Sequence, residues 1–234
     1  MCASNGGRRG GIPEATVPRI ERGAGRDLPD DACWSRAALV ELSRTEDGGA
    51  CRQPTAVRVA YDLDALFLRF DCVDRDIWAS HAHRDAPLWE EEVVELFIAP
   101  GGDDPSEYFE IQVNPLGAIF DARVTNPHGR RDSMTVDRSW SPSGIVASVS
   151  RPSPASWRAE LAIPWADLCG EGLPRLWRAN FFRIERPRGG DDEFSAWSPT
   201  MASPPDFHRP SWFGRLVLEE TAPRSRGEVR VRAP

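Results

Sequence analysis

Trp89-Glu90-Glu91-Glu92-Val93-Val94-Glu95-Leu96-Phe97-Ile98 is the stretch on which the fold reading turns, because it admits two periodicities. Read as a helix, Trp89, Val93, Leu96 and Phe97 share a face and the glutamates take the other. Read as a strand, Val94, Leu96 and Ile98 alternate with Glu91, Val93, Glu95 and Phe97. The paired valines, the short length and the Pro100-Gly101-Gly102 stop that follows select the strand. If the first set faces a core, Glu95 projects from the opposite face and Trp89 stands at the strand's entrance.

Working outward, Pro100 to Pro105 reads as a loop, and Phe109, Ile111 and Val113 then alternate with Glu110, Gln112 and Asn114, which predicts a hairpin. A second hairpin precedes it. Val57, Val59 and Tyr61 alternate with Arg58 and Ala60, and a turn at Asp62-Leu63-Asp64 leads into Leu66, Leu68, Phe70 and Cys72 with Arg69 and Asp71 opposed. Further strands are expected at 118–124, 144–150, 157–163, 177–186, 194–197 and 214–218. The whole predicts an all-β antiparallel sandwich of about ten strands with few helical turns, one of them at Pro164 to Leu168 with proline first. Residues 1–30 and the arginine-rich 221–234 read as loose tails around one domain at 31–220.

Composition agrees. The 234 residues hold 21 prolines, 19 glycines, 9 tryptophans and 10 phenylalanines, which describes many turns between short aromatic segments. A net charge of −7 leaves no basic stripe for a phosphate backbone, so nucleic acid is not an expected partner. Five cysteines without C-x-x-C spacing suggest buried thiols rather than disulfides or a zinc knuckle. No secretory leader and no membrane-length apolar run is visible, so a cytoplasmic monomer is the default expectation, or an extracellular one if the start is misassigned.

The chemistry of the opening stretch suits a sugar. An indole can stack on the C–H face of a pyranose, and a nearby carboxylate can accept from its hydroxyls. That stretch, with Tyr108-Phe-Glu-Ile-Gln-Val-Asn114, Trp157-Arg-Ala-Glu-Leu-Ala-Ile-Pro-Trp165, Trp177-Arg-Ala-Asn-Phe-Phe-Arg183, Ala196-Trp-Ser-Pro-Thr200 and Phe207-His-Arg-Pro-Ser-Trp-Phe-Gly214, resembles the successive blocks of family 9 carbohydrate-binding modules over roughly Trp34 to Leu218. The resemblance implies a DOMON-like sandwich that holds a mono-, oligo- or polysaccharide between two aromatic rings without catalysis. It nominates Trp89 and Phe207 as the rings and Glu95, Gln112 and Asn114 as hydroxyl partners; no cofactor is expected, and nothing in the sequence supports a calcium site. Phe207 stands where well-known members carry tryptophan, Gln112 where arginine is common and Pro204 where they carry a polar residue.

Other readings compete. Glu95 and Glu110, on adjacent arms of one hairpin, could serve as the two carboxylates of a glycosidase. His81 and His83 with Asp76 or Asp85 could hold a metal. Met134, Met201, His128 and His208 are the available haem ligands of a DOMON-like domain. Asn180 and Arg183 are expected to form a buried polar pair, since an arginine among aromatic strand residues is costly unless paired.

Overall fold

The alternating run Leu66, Leu68, Phe70 and Cys72 points inward in the computed structural model, which describes residues 11–170 and 172–220. Fourteen strands occur among these residues. They are β1 (Glu14–Val17), β2 (Ala38–Glu41), β3 (Ser43–Arg44), β4 (Thr55–Tyr61), β5 (Ala65–Val73), β6 (Val93–Pro100), β7 (Glu107–Val113), β8 (Ile119–Thr125), β9 (Thr135–Asp137), β10 (Val146–Ser153), β11 (Ser156–Pro164), β12 (Leu176–Glu185), β13 (Glu193–Ala196) and β14 (Gly214–Leu218). Two short helices, α1 (Asp31–Trp34) and α2 (Trp165–Cys169), interrupt them.

One sheet runs β1-β14-β12-β6-β7-β8-β9, with β13 paired to β12 and β3 to β13. The other runs β10-β11-β5-β4-β2. Between them Val57, Val59, Leu66, Leu68 and Phe70 meet Val94, Leu96, Ile98, Ile111, Val113 and Phe181, all buried. Burying each such side chain stabilises by roughly 1.5–3 kcal/mol. A one-residue slip of β6 would exchange Val94, Leu96 and Ile98 for Val93, Glu95 and Phe97 and so put a carboxyl in the core, which fixes the register.

The larger sheet is also covered on its outer face. Val93, Phe97, Tyr108, Phe120, Phe182, Ile184 and Phe213 form a second apolar layer there, and every residue of β6 from Val93 to Ala99 is buried. A strand covered on both faces loses its clean alternation, which is why the opening stretch also fits a helical period.

Four expectations change. The strands number fourteen rather than ten, the extra ones being short edge or connecting pieces with too few residues to show a period. The region read as an N-terminal tail contributes β1, which lies parallel to β14 with Glu14 opposite Arg215 and Val17 opposite Leu218. Ile20 beyond it is buried and its N–H donates to the Tyr61 carbonyl at 2.8 Å. Four residues between Pro13 and Pro18 carry no alternation to detect, and the partner strand supplies the pairing. Third, Trp89 stands at the strand's entrance as expected, but on a single 3₁₀ turn, Leu88–Glu90, rather than in extended backbone. Fourth, Asn180 and Arg183 are both buried but point to opposite faces and find separate partners. Asn180 bridges the Ser198 amide and carbonyl at 2.9 and 2.8 Å, whereas Arg183 reaches the Val73 carbonyl at 2.6 Å. The stretch from Thr221 lies outside the described residues.

Candidate functional site

Strand register puts four side chains in a row across the outer face of the larger sheet. Phe182 of β12 is opposite Glu95 of β6, Glu95 opposite Gln112 of β7, and Gln112 opposite Phe120 of β8. Glu110 lies one row along, opposite Phe97. Three connections rise around this floor: the 3₁₀ turn with Trp89, the segment joining β8 and β9 with Arg131 and Met134, and the segment between β13 and β14 with Pro204, Pro205, Phe207 and His208. They enclose a cavity of about 560 Å³, which Trp89, Glu95, Glu110, Gln112, Phe120 and Phe207 help to line. Small-ligand pockets have this size.

The walls are aromatic. Trp89 meets Phe120 edge to face at 5.1 Å and 78°, and the Arg138 guanidinium lies 5.3 Å from the Trp89 ring centre and 5.5 Å from that of Phe120. Opposite, Phe207 stacks on Phe182 at 4.1 Å and 13°. Its neighbour His208 anchors this wall: Nδ1 pairs with the Tyr108 hydroxyl at 2.8 Å, and the backbone carbonyl accepts from Asn126 Nδ2 at 3.0 Å. Burial, aided by Arg131, pushes His208 down to about 4, so the ring is neutral at physiological pH and adds no charge to the cavity.

The floor is polar and short of partners. Gln112 donates from Nε2 to a Glu110 carboxyl oxygen at 2.7 Å, while its own Oε1 is buried with no hydrogen-bond partner. Burial pushes Glu95 well above the usual carboxylate range, with Glu110 adding to the rise and Arg131 opposing it. Burial lifts Glu110 to about 7, against the Gln112 hydrogen bond and the Arg131 and Arg138 charges. Burial thus favours the protonated form of Glu95, an acid that can donate, beside an amide oxygen that needs a donor. An orphan buried acceptor costs about 1–3 kcal/mol unless something polar occupies the cavity.

Of the five nominated residues, Trp89, Glu95, Gln112 and Phe207 line this cavity together. Asn114 does not. It follows β7 on the predicted face, but its Oδ1 accepts from the Leu116 and Ala118 amides at 3.1 and 3.0 Å, and its Nδ2 donates to the His81 carbonyl at 2.7 Å. With every polar atom engaged by nearby backbone, it holds the loop that leads to Trp89. The sequence reading weighed Glu110 only as a catalytic partner and missed Arg131, Arg138 and Arg186 on the rim. Glu110 shares the parity of Gln112 and was findable from it, whereas rim arginines come from irregular segments that carry no period.

Among the described residues, one group of three potential ligand residues lies close enough to share an ion: Asp74, Glu92 and Glu185, all buried, with ligand atoms within 4.8 Å of one another. Arg183 Nη2 is 3.1 Å from Asp74 and 3.7 Å from Glu92 and is hydrogen-bonded to Glu185. The guanidinium stands where an ion would, so the cluster is a buried ion-pair network. Burial and mutual repulsion push Glu92 to about 9, and burial lifts Glu185 to about 7 against the pull of Arg183. His81 is drawn instead toward Glu90 and Glu91, at 3.8 and 3.9 Å. Cys33 and Cys72 are buried and Cys51 and Cys169 half-buried, all four as free thiols.

The model of carbohydrate-binding family 9 matches residues 44–218. The chain belongs to that family. A relative described as an extracellular protein, from Arthroderma benhamiae, is 32% identical over 194 residues, covering 77% of this chain and 86% of the relative. Among solved structures, a Bacteroides uniformis protein described provisionally as carbohydrate-binding superposes with a TM-score of 0.69 at 17% identity, covering 89% of this chain and all of that one. A family 9 module from Caldicellulosiruptor kristjanssonii, solved with cellotriose, gives 0.60 at 15% identity over 94% of this chain and all of that one. At such identities the superpositions establish the shared sandwich and nothing beyond it.

Proposed function

We propose that this family 9 protein binds saccharides in the outer-face cavity without catalysis, Trp89 and Phe207 forming the walls and Glu95, Glu110 and Gln112 meeting hydroxyls from below. The observation that carries the reading is the floor: a buried acid and a buried, unpartnered amide oxygen between aromatic walls, in a cavity of sugar size. Hydroxyls both donate and accept, so a pyranose can satisfy both groups while its C–H face takes a ring. The cellotriose complex of the Caldicellulosiruptor module is consistent with this.

A retaining glycosidase needs an ionised nucleophile beside its acid. Burial raises both floor carboxyls here, and neither has a cation within ion-pair distance among the described residues. Two aromatic contacts of about 0.5–1.5 kcal/mol each and a few hydrogen bonds of about 1 kcal/mol, set against association costs, give a dissociation constant on the order of micromolar to millimolar. Calorimetric titration with glucose, xylose, cellobiose and xylobiose tests it. Trp89→Ala is expected to weaken the best of these about tenfold, and incubation with xylan or cellulose to release no reducing sugar. Undiminished binding by Trp89→Ala removes the indole from the site, and steady sugar release removes the non-catalytic reading.

A further inference from the structure

Three arginines stand at the cavity, Arg131, Arg138 and Arg186, in a chain whose net charge is −7. Two are already neutralised. Arg131 Nε lies 2.7 Å from Asp206 Oδ1, and Arg186 pairs with Asp192 while resting 5.4 Å from the Phe194 ring centre. Arg138 has no carboxylate within ion-pair distance among the described residues and lies instead over Trp89 and Phe120. Asp137 beside it is turned to Ser139, whose amide and hydroxyl donate to it at 2.9 and 2.6 Å.

We propose that the cavity selects saccharides bearing a carboxylate, that is uronic acid units, and that Arg138 is the cation that receives it. The inference rests on the saccharide-binding reading and narrows it. A neutral sugar that takes the covered face of Trp89 must displace the guanidinium from both rings and offers it no charged partner in exchange. A uronate can put its ring against the indole and its carboxylate in the guanidinium fork, where two parallel N–H donors fit two oxygens. The floor does not oppose this. Burial favours the protonated forms of the two acids that line the cavity, Glu95 and Glu110, the latter lifted to about 7, while Asp206 and Asp192 nearby are taken by Arg131 and Arg186. The preference expected of one charge-assisted, partly exposed contact is about tenfold.

Titrating methyl β-D-glucuronoside against methyl β-D-glucoside at pH 6, with the corresponding galacto pair, by calorimetry or tryptophan fluorescence reads this directly. The wild type is expected to bind at least one uronoside about tenfold more tightly than its neutral parent, with the gap narrowing in about 0.5 M salt. Arg138→Gln should bring the ratio to about one, and Arg138→Lys should keep only part of it, because an ammonium holds the charge without the fork. The thermal midpoint of each variant reports that the exposed substitution leaves the fold intact. Equal affinities in the wild type, or an unchanged ratio in Arg138→Gln, overturn the uronate inference while leaving saccharide binding in place. Failure of every glycoside to bind overturns both.

Discussion

Replacing Glu110 with glutamine removes a carboxyl that burial has lifted from the ordinary glutamate range near 4.5 to about 7. Because the folded state holds this proton more tightly than the unfolded chain, wild-type stability from this group is greatest below about pH 4.5 and is lost as pH rises toward 7. At about 1.4 kcal/mol per pH unit, the interval corresponds to about 3 kcal/mol. Glutamine at 110 keeps nearly the same volume and retains an oxygen for the hydrogen bond from Gln112 Nε2, which spans 2.7 Å in the wild type. The packing therefore survives and the proton-linked cost disappears. Urea unfolding of both proteins at pH 4.5, 6 and 8, followed by tryptophan fluorescence, is expected to show Glu110→Gln gaining about 3 kcal/mol on the wild type between the two extremes. Other raised carboxyls, including Glu92, Glu185 and Asp121, tilt both profiles and cancel in the difference. Relief of the repulsion on Glu95 adds in the same direction. A difference that does not change with pH, or that favours the wild type at pH 8, refutes the account of the floor as a buried, protonated pair.

Asn114→Ala should destabilise by about 2–3 kcal/mol in chemical denaturation, since three backbone contacts go at once, and should also weaken saccharide binding by loosening the loop before Trp89, although Asn114 lines no part of the cavity. Gly214→Ala would set a methyl 2.5 Å from Trp197 Cζ3 and 2.9 Å from the Pro13 carbonyl, so a loss of about 1–3 kcal/mol in melting or urea experiments is expected where β14 pairs with β1. Arg183→Met removes the cation shared by Asp74, Glu92 and Glu185, together with its hydrogen bond to the Val73 carbonyl, and is expected to cost about 3–5 kcal/mol by urea unfolding at pH 7.

The inner faces of β5 and β6 were legible because Leu66, Leu68, Phe70 and Cys72 on one and Val94, Leu96 and Ile98 on the other reach the shared core at every second position. Strand β1 was not, since four residues at an edge acquire their conformation from β14 rather than from their own pattern. At the site, parity put Glu95 on the outer face and the family resemblance nominated Gln112, and register makes the two direct neighbours. Asn114 satisfied the same parity and still fell outside the cavity, because parity ends where a strand turns and a short amide side chain there finds backbone partners first. The rim arginines had no such signal, since their positions depend on how irregular segments fold back over the sheet.

The glutamates of the opening stretch show how one composition yields four roles. Glu90 is exposed on the 3₁₀ turn, and Glu91, at its end, accepts from the Ser80 amide at 2.7 Å and from the Ser80 hydroxyl. Glu92 takes the Arg186 amide at 2.8 Å and enters the Arg183 network, while Glu95 alone reaches the cavity floor. Glu91 and Asn114 thus grip the Ser80–His81 backbone from two sides, one through amides and the other through the His81 carbonyl. Trp89 lies on the turn beside that clamp and before β6, so its indole is placed by the hydrogen bonds that hold the turn together with its packing against Phe120 and the outer-face layer. A half-buried ring fixed in this way stays available on the cavity side, and replacing either clamp residue should change affinity without altering a single group that meets the ligand.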